Sequence, residues 1–423
     1  MLSHKIVIVG AGCFGVSTAY HLLKRGFTGV TILDRSSTIP ALDAASNDIN
    51  RIVRSSYSDP FYAKLAREAI AMWKDKEEWG NTYQESGVVV LGSSEKGISY
   101  VTESHRNDAG LGASLQWFPN SSSIQAIFPP EARTASFDQQ KGYINYDGGW
   151  ANASQGLSMM ISKVTALNGK ILPSKCVTTL LRQNGKTIGV ECTDGSIYTA
   201  SLIVLAIGSW TPSSFPILDL GLRCLATGQC IATLQLTDDE MRRYRKCPVV
   251  LDFSTGFYIF PPNEQGIVKM ATHVPGYTHT IDNISTPRTV TTDPHQGLSI
   301  PKSDIQSMRR YLKGVYPDLA GKPFSGTRLC WYNDSIDGDW VIDRYKTDPG
   351  LMLATAGSGH AFKFLPVIGR LVADIIQGAS DPSVVSKFAL ERNMSRLDSS
   401  RCGTPTELNL GDLCTPEDLT GDV

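Results

Sequence analysis

The stretch KIVIVGAGCFGVSTAYHLLKRGFTGVTILDR, residues 5–35, decides how the beginning of this chain folds. Its apolar start predicts a strand that is buried on both faces. The glycines that follow predict a tight turn, and the apolar spacing beyond them predicts a helix that ends at Gly26. VTILD then supplies a second strand. This order of strand, turn, helix and strand is typical of a unit that binds a dinucleotide.

Three glycines in the turn, Gly10, Gly12 and Gly15, match the pattern G-x-G-x-x-G. The first permits the turn, the second lets the backbone approach a pyrophosphate, and the third allows close packing of helix and sheet. Asp34 ends the second strand about 20 residues further on, where an acid can accept a hydrogen bond from a ribose 2′-hydroxyl. Because that hydroxyl must be free of phosphate, the sequence predicts NAD or FAD and argues against NADP.

Later segments favour FAD over NAD. A strand-like run, SLIVLAIGSW at residues 201–210, follows a predicted helix near Trp150 and a strand-rich stretch. In flavoproteins the dinucleotide fold is commonly split, so that later segments return to the same sheet. A simple nicotinamide dehydrogenase more often places its βαβ units back to back.

The bulk composition describes an ordinary globular chain of 423 residues, 41% hydrophobic and 19% charged, with room for two lobes. A net charge of -1 favours neither nucleic acid nor a membrane surface as a partner. MLSHKIVIVG runs directly into a strand without the features of a signal peptide. We find no apolar run long enough for a membrane span and no peroxisomal signal in the last three residues, and therefore expect a cytoplasmic protein.

The cysteines show no C-x-x-C pair, which predicts reduced thiols and no metal site. They are Cys13, Cys176, Cys192, Cys224, Cys230, Cys247, Cys330, Cys402 and Cys414.

Several charged residues fit either a surface or a site when each is taken alone. Arg51 and Arg54 precede a helix that Pro60 opens, and the apolar stripe of that helix predicts core. FYIFPPNEQGIVKMATH predicts a hairpin in which Lys269 and His273 share one strand face. A lysine in such a strand can also protect a sheet edge.

Together these segments resemble the flavin-dependent amine oxidases typified by monomeric sarcosine oxidase and the fructosyl amino acid oxidases (amadoriases). The resemblance rests on VGAGCFG, RIVRSSY, FYIFP…GIVKMATH, LCWYNDSIDGDWVID and GSGHAFKF, in that order, and it extends from Lys5 to about Gly378. It implies an α/β fold with two domains. A discontinuous Rossmann-like FAD-binding domain comprises residues 1–80, 150–215 and 325–385. A substrate domain rich in β-sheet comprises 81–149 and 216–324, and 386–423 form a C-terminal tail.

The resemblance also assigns the cofactor contacts. Cys330 falls where the family joins FAD to the protein through a thioether to the flavin 8α carbon, and GSGHAFKF falls where a glycine-rich helix start approaches the flavin ring. The implied cofactor-binding residues are Gly10, Gly12, Gly15, Asp34, Arg35, Cys330, Gly357, Gly359, His360, Phe362 and Lys363.

The implied catalytic residues surround the flavin ring. Lys269 falls on a lysine near flavin N5 that is associated with oxygen activation, and Arg51 falls on a second basic position beside the ring. Arg54 and Lys363 fall where sarcosine oxidase binds the substrate carboxylate. The remaining polar positions around the substrate are Tyr258, His273 and Tyr332.

The implied reaction oxidises the C–N bond of a secondary amine that carries a carboxylate, with a small-molecule amine and oxygen as substrates of a monomeric enzyme. DINRIVR replaces the Asp-Leu-Asn-Lys stretch of amadoriases, their tryptophan- and arginine-rich tail has no clear match in SKFALERNMSRLDSS, and Ala361 stands where many relatives have glycine. These differences favour a cyclic or N-alkyl amino acid such as pipecolate or saccharopine. An amadoriase and a tailoring enzyme of a biosynthetic pathway are the alternatives. A flavin dehydrogenase, an NAD-dependent dehydrogenase and a non-enzymatic dinucleotide-binding protein are less favoured.

Overall fold

A computed structural model describes residues 2–395, 397–398, 400–401 and 403–421, with the side chains of residues 2–4 excepted. Cys402 lies outside the described residues. The α-helices are α1 (Cys13–Lys24), α2 (Pro60–Trp73), α3 (Lys76–Trp79), α4 (Glu95–Gly110), α5 (Ser121–Gln125), α6 (Ala153–Ala166), α7 (Thr211–Ser214), α8 (Asp238–Tyr244), α9 (Lys302–Lys313), α10 (Ile368–Gln377) and α11 (Pro382–Phe388).

The strands form two main sheets and three small ones. In chain order they are β1 (Leu2–Val9), β2 (Phe27–Leu33), β3 (Arg51–Val53), β4 (Tyr83–Gln84), β5 (Val88–Gly92), β6 (Leu115–Phe118), β7 (Lys141–Asn145), β8 (Gly149–Ala151), β9 (Lys170–Leu172), β10 (Val177–Gln183), β11 (Lys186–Cys192), β12 (Ile197–Thr199), β13 (Leu202–Leu205), β14 (Leu225–Gln235), β15 (Val249–Asp252), β16 (Phe257–Ile259), β17 (Ile267–Thr272), β18 (Tyr277–Thr278), β19 (Thr280–Ile281), β20 (Ile284–Ser285), β21 (Gly326–Asp334), β22 (Val341–Arg344), β23 (Leu351–Thr355) and β24 (Thr406–Glu407).

The first sheet has the strand order β22-β23-β13-β1-β2-β9 and is parallel except at β22. Its members come from distant parts of the chain, as a split dinucleotide fold requires. The side chains of β1 are buried on both faces: Ile6 and Ile8 pack with helix α1 on one side, and Val7 and Val9 pack with a second apolar cluster on the other. The α/β fold class and the buried first strand are therefore confirmed.

The turn between β1 and α1 requires glycine at two positions. Gly10 has a φ of +105°, which L-residues with side chains rarely adopt. A Cβ on Gly15 would lie 1.9 Å from the carbonyl oxygen of Gly10, so that helix and turn can approach each other only without one. The start of α1 is consequently held against the carboxyl end of β1.

The second sheet contains ten strands in the order β24-β18-β14-β17-β16-β15-β5-β7-β6, with β21 paired to β14 outside this path. The predicted hairpin is present as the antiparallel pair of β16 and β17. Strand β21 lies within residues 325–385, yet it pairs along its length with β14 of this sheet. The proposed domain boundaries remain a prediction.

The C-terminal segment connects the two sheets. It leaves α11 beside the first sheet, and β24 then pairs with β18 of the second. Leu413 and Cys414 are buried in the core beneath the second sheet. In the part of the chain that the structure describes, no helix is both long and apolar enough to cross a membrane.

Candidate active site

A long cleft opens at the carboxyl ends of the parallel strands, between the two sheets. It contains about 1250 Å³ of open space, its mouth included. Gly10, Gly12, Asp34 and Arg35 lie along its wall, and further wall residues are Arg51, Tyr332, Gly357, Gly359, His360 and Phe362. Ligands of open α/β sheets bind at these carboxyl ends, so the cleft is where a dinucleotide is expected.

Asp34 and Arg35 mark one end of this cleft. The carboxylate of Asp34 accepts hydrogen bonds from the amides of Ala11 and Ser36, at 2.7 and 2.9 Å. Burial raises its pKa above the usual value, which those hydrogen bonds counteract. Arg35 stacks on Trp210, with 3.8 Å between guanidinium carbon and ring centre. The carboxylate of Asp34 can accept hydrogen bonds from a ribose. The stacked guanidinium of Arg35 offers a flat, charged surface to a neighbouring ring.

Cys330 lies on β21, next to the cleft-lining residues Trp331 and Tyr332, and it packs against Ile231 and Ala271 of the second sheet. Its side chain is buried, and Nη2 of Arg51 approaches Sγ to 3.5 Å. A cation beside a sulfur is the setting in which thiols act as nucleophiles. Among the described cysteines none forms a disulfide, so this thiol is available for other chemistry.

Lys269 and Arg51 share one buried carboxylate, that of Asp48. Lys269 Nζ donates to Asp48 Oδ2 at 2.8 Å and to the carbonyl of Asn50 at 2.7 Å, and Arg51 forms an ion pair with the same carboxylate. Burial and the nearby Arg51 lower the pKa of Lys269 to about 7, against the opposing effect of Asp48. Although burial alone would raise it, the pKa of Asp48 is held below its usual range by these cations.

Arg54 and Lys363 form a second buried pair of cations, with no carboxylate in ionic contact among the described residues. Arg54 donates to the carbonyl of Ser56, and its guanidinium lies 4.5 Å from the ring centre of Tyr57. Lys363 Nζ donates to the Tyr57 hydroxyl at 2.8 Å and to the carbonyl of His360 at 2.9 Å. Burial and the charge of Arg54 hold the pKa of Lys363 well below its usual value.

His360 stands between the cleft and a second cavity, and it lines both. Its Nδ1 lies 3.2 Å from the Tyr57 hydroxyl and its Nε2 lies 2.9 Å from the carbonyl of Gly338. The ring stacks on Trp340 at 5.5 Å. Burial and Lys363 keep its pKa well below the usual value, so the imidazole is neutral at neutral pH.

The second cavity continues outward from Arg54, Tyr57 and His273. His273 Nε2 lies 2.9 Å from the Ser400 hydroxyl, and burial with nearby cations lowers its pKa well below the usual value. The outer wall of the cavity carries both signs of charge: Asp59, Asp337, Asp339, Asp398, Lys387 and Arg392. Most of these charges pair with one another: Lys387 with Asp59 and Asp339, and Arg392 with Asp337.

Tyr258 and Tyr332 contact each other on the face of the second sheet that carries Cys330. Burial raises the pKa of both phenols, which therefore stay protonated at neutral pH. Arg401 lies above Tyr332, where it forms an ion pair with Asp334 at 2.7 Å and donates to the carbonyl of Ser358 at 2.7 Å. The C-terminal tail therefore contributes the Arg401 side chain to the candidate site.

The stretch GSGHAFKF departs from its prediction in one respect. A turn with positive φ at Ser358 and Gly359 leads into a short 3₁₀-helix (Phe362–Phe364), and the α-helix α10 begins only at Ile368. Pro366 has no backbone N–H to donate, so an α-helical hydrogen-bond ladder cannot continue through this position without a gap. The expected helix start after the glycines is thus a short 3₁₀-helix, and the segment lines the cleft.

Three residues of this arrangement were not identified from the sequence. Asp48 gives a weak local signal, an acid three residues before Arg51. Tyr57 belongs to the quoted RIVRSSY, but its contact with Lys363 joins positions that are 306 apart. Arg401 lies in a tail that offered no recognisable pattern.

Comparisons with known proteins agree with this geometry. The family model described as FAD dependent oxidoreductase matches residues 5–375. L-saccharopine oxidase of Schizosaccharomyces pombe is 32% identical over 400 residues, which cover 89% of this chain and 90% of that protein. N-methyl-L-tryptophan oxidase of Yersinia pestis is 23% identical over 402 residues, which cover 92% and 100%.

A solved structure extends the likeness to three dimensions. Fructosamine oxidase (Amadoriase II) from Aspergillus fumigatus, in complex with FSA, superposes with a TM-score of 0.85 and 26% sequence identity. The match covers 98% of this chain and 97% of the other. Both sheets and the cleft between them therefore belong to a known arrangement.

Proposed function

This chain belongs to the FAD-dependent oxidoreductase family, and we propose that it oxidises a secondary-amine amino acid whose carboxylate binds between Arg54 and Lys363. The predicted recognition of the family, the FAD dependence and the class of reaction are confirmed. The individual site residues are our proposal. It rests on one observation above all, the two buried cations that have no carboxylate partner among the described residues.

The residues along the cleft fit FAD. The close approach of Gly10 and Gly15 leaves the amino end of α1 facing open space, where a pyrophosphate is stabilised. In this proposal Asp34 and Arg35 contact the adenosine end, and Gly357, Gly359, His360 and Phe362 contact the flavin end. FAD supplies the redox chemistry, since it accepts two electrons from the amine and passes them to oxygen, giving hydrogen peroxide.

The chain's own groups would orient the substrate and set its protonation. A carboxylate held by Arg54 and Lys363 gains charge-assisted hydrogen bonds in a site that largely excludes water. The same cations lower the pKa of a bound amine, which must lose its proton before it is oxidised. Tyr258, Tyr332 and His273 are neutral polar groups that can contact the amine or its side chain without adding charge.

Lys269 and Arg51 serve the other half of the reaction in this proposal. Negative charge develops on oxygen when it is reduced, and a fixed ammonium stabilises that charge without reorganisation. Asp48 keeps both cations in place through its ion pairs. The acceptor is oxygen, and the enzyme acts as a monomer.

We also propose that Cys330 holds FAD through a thioether to the flavin 8α carbon. The absence of a disulfide at Cys330 among the described cysteines and the approach of Arg51 to Sγ support this assignment.

The substrate that we favour is L-saccharopine or a closely similar secondary amine joining two amino acids. The S. pombe relative is named for that substrate, and the outer cavity with charges of both signs suits a second zwitterionic arm. A fructosyl amino acid is the second candidate, because the fold closely matches that of a fructosamine oxidase.

A peroxide-coupled screen tests the proposal. L-saccharopine, L-pipecolate, sarcosine, N-methyl-L-tryptophan and fructosyl-lysine are each supplied to the purified flavoprotein in air. We expect peroxide with L-saccharopine at the highest kcat/KM. Fastest turnover of fructosyl-lysine would favour the second candidate, and turnover with a dye but not with oxygen would make the enzyme a dehydrogenase.

A further inference from the structure

Asp108 on helix α4 is a buried acid that none of the functions above uses. Its Oδ2 accepts hydrogen bonds from the Ser56 hydroxyl at 3.1 Å, the Tyr143 hydroxyl at 3.1 Å and the Asn145 amide at 2.9 Å. Its Oδ1 has no partner in the described structure, and no lysine or arginine of that part pairs with it. Burying a carboxylate without a partner cation costs folding free energy, which raises the question of what role Asp108 has.

The Ser56 peptide connects this acid to the substrate site. The carbonyl oxygen of Ser56 accepts the hydrogen bond from Arg54, while the hydroxyl of the same residue donates to Asp108. Tyr100 also donates to that carbonyl, at 3.3 Å. The position of the Arg54 guanidinium therefore depends on where Ser56 is held.

The neighbouring peptides are fixed from the same side. Asn107, adjacent to Asp108, donates to the carbonyls of Tyr57 and Ser58 at 3.0 and 2.9 Å. Tyr57 in turn accepts the hydrogen bond from Lys363. Both cations of the proposed carboxylate site thus rest on one short segment that is anchored by α4.

We propose that Asp108 is a positioning residue for substrate binding. It fixes the Ser56 peptide so that the carbonyl of Ser56 holds Arg54 in the orientation that receives the substrate carboxylate. A carboxylate accepts three donors at once, whereas an amide in its place would present one N–H₂ group to donors. Asp108 itself touches neither the cofactor cleft nor the outer cavity. The inference rests on the carboxylate site proposed above.

The experiment measures binding of 2-furoate, a carboxylate without an oxidisable amine, from the change in flavin absorbance of the holoenzyme. Asp108→Asn should raise the Kd of 2-furoate about tenfold, as for the loss of a well-oriented charge-assisted hydrogen bond. Ser56→Ala, which removes only the hydroxyl, should act in the same direction. The two changes together should raise Kd by less than the product of their separate effects, because they break one connection.

Ser104→Ala is the matched control. Ser104 is buried on the same helix and accepts a hydrogen bond from the same Tyr143 hydroxyl at 3.1 Å, but no hydrogen bond joins it to Ser56 in the described structure. Its Kd for 2-furoate should stay within about twofold of the wild type, as expected when the affected hydrogen bond is remote from the ligand. The rate at which oxygen reoxidises the reduced enzyme should be unchanged in all three variants.

The outcomes separate this inference from the proposed function. Equal binding of 2-furoate and 2-furamide by the wild type would remove the carboxylate site itself. Selective binding of 2-furoate with an unchanged Kd in Asp108→Asn would overturn only the role of Asp108. An equal rise in Ser104→Ala would also overturn it, since general loosening of α4 would then explain the effect. If Asp108→Asn does not fold, Ser56→Ala decides the question alone.

Discussion

The two buried cation pairs of this site differ in one respect, the presence of a carboxylate. Lys269 and Arg51 share Asp48 in direct ion pairs, whereas Arg54 and Lys363 have only neutral partners among the described residues. Burial alone penalises all four cations, and Asp48 offsets that penalty for the first pair.

The difference distinguishes a pair of cations that already has a counter-charge from a pair that can gain one by binding a ligand. The first pair carries its own counter-charge, so its geometry is fixed before any substrate arrives. The second pair lowers its energy when an anion binds between its members. An acid placed by the chain therefore suits a permanent electrostatic role, and the lack of one suits recognition of a substrate carboxylate.

Cys330→Ala should have the largest effect, complete loss of the covalent flavin. Acid precipitation of the unmodified protein should leave yellow colour in the pellet, and the variant should release all of its FAD into the supernatant. Cys230→Ala, also buried in the second sheet, serves as the control and should retain the colour. Release of colour from the unmodified protein would show that no thioether forms.

Asp48→Asn should cost about 3 kcal/mol in the free energy of unfolding, because two buried cations lose their counter-charge. Arg54→Met in the substrate-free protein should change it by less than about 1 kcal/mol, since that cation has no ionic partner to lose. Urea denaturation of both variants measures the contrast. Equal losses would mean that the two pairs do not differ in the way described.

The Lys269→Met variant retains the aliphatic part of the side chain and removes its charge. It should slow reoxidation by oxygen roughly a hundredfold, the loss of about 3 kcal/mol of stabilisation for one fixed charge. Anaerobic reduction by substrate should change much less. Stopped-flow measurement of the two half-reactions tests this, and equal slowing of both would assign Lys269 to the shape of the pocket.

Arg54→Met should raise the KM for a carboxylate substrate about tenfold, and Lys363→Met should act similarly, because each removes one charge-assisted contact. Steady-state kinetics with an amino acid and its amide provide the check. The variants should lose the preference for the acid. An amide accepted as well as the acid by the wild type would contradict the proposed contact.

The smallest expected effect is a dependence on pH in the oxygen half-reaction. With its pKa lowered to about 7, Lys269 is charged below that pH and loses its charge above it. The rate of reoxidation should therefore fall about threefold between pH 6.5 and pH 7.5, as the charged fraction of Lys269 decreases, and continue toward the rate of Lys269→Met at higher pH. In Lys269→Arg, whose guanidinium stays charged, the rate should be flat between pH 6 and pH 9, within about twofold.

Local pattern was enough to predict the first βαβ unit. Gly10, Gly15 and the apolar strand act on neighbours within a few residues, where backbone sterics and periodicity alone decide the conformation. The hairpin that carries Lys269 was predictable for the same reason. The family resemblance added Cys330, Arg51, Arg54 and Lys363 as site residues, and the structure brings them to one region.

Only the tertiary structure shows which of the buried cations have a carboxylate partner. Asp48 meets Lys269 across 221 positions, and Lys363 meets Tyr57 across 306. Whether a carboxylate forms an ion pair with Arg54 depends on all the segments that pack around it. No short stretch of sequence could therefore predict that none does among the described residues. Sequence by itself determined the strand, turn and helix that hold a dinucleotide, because those are set by short-range sterics. Tertiary structure alone decided which buried charges are paired, because Coulomb interactions act through space between residues that the chain keeps far apart.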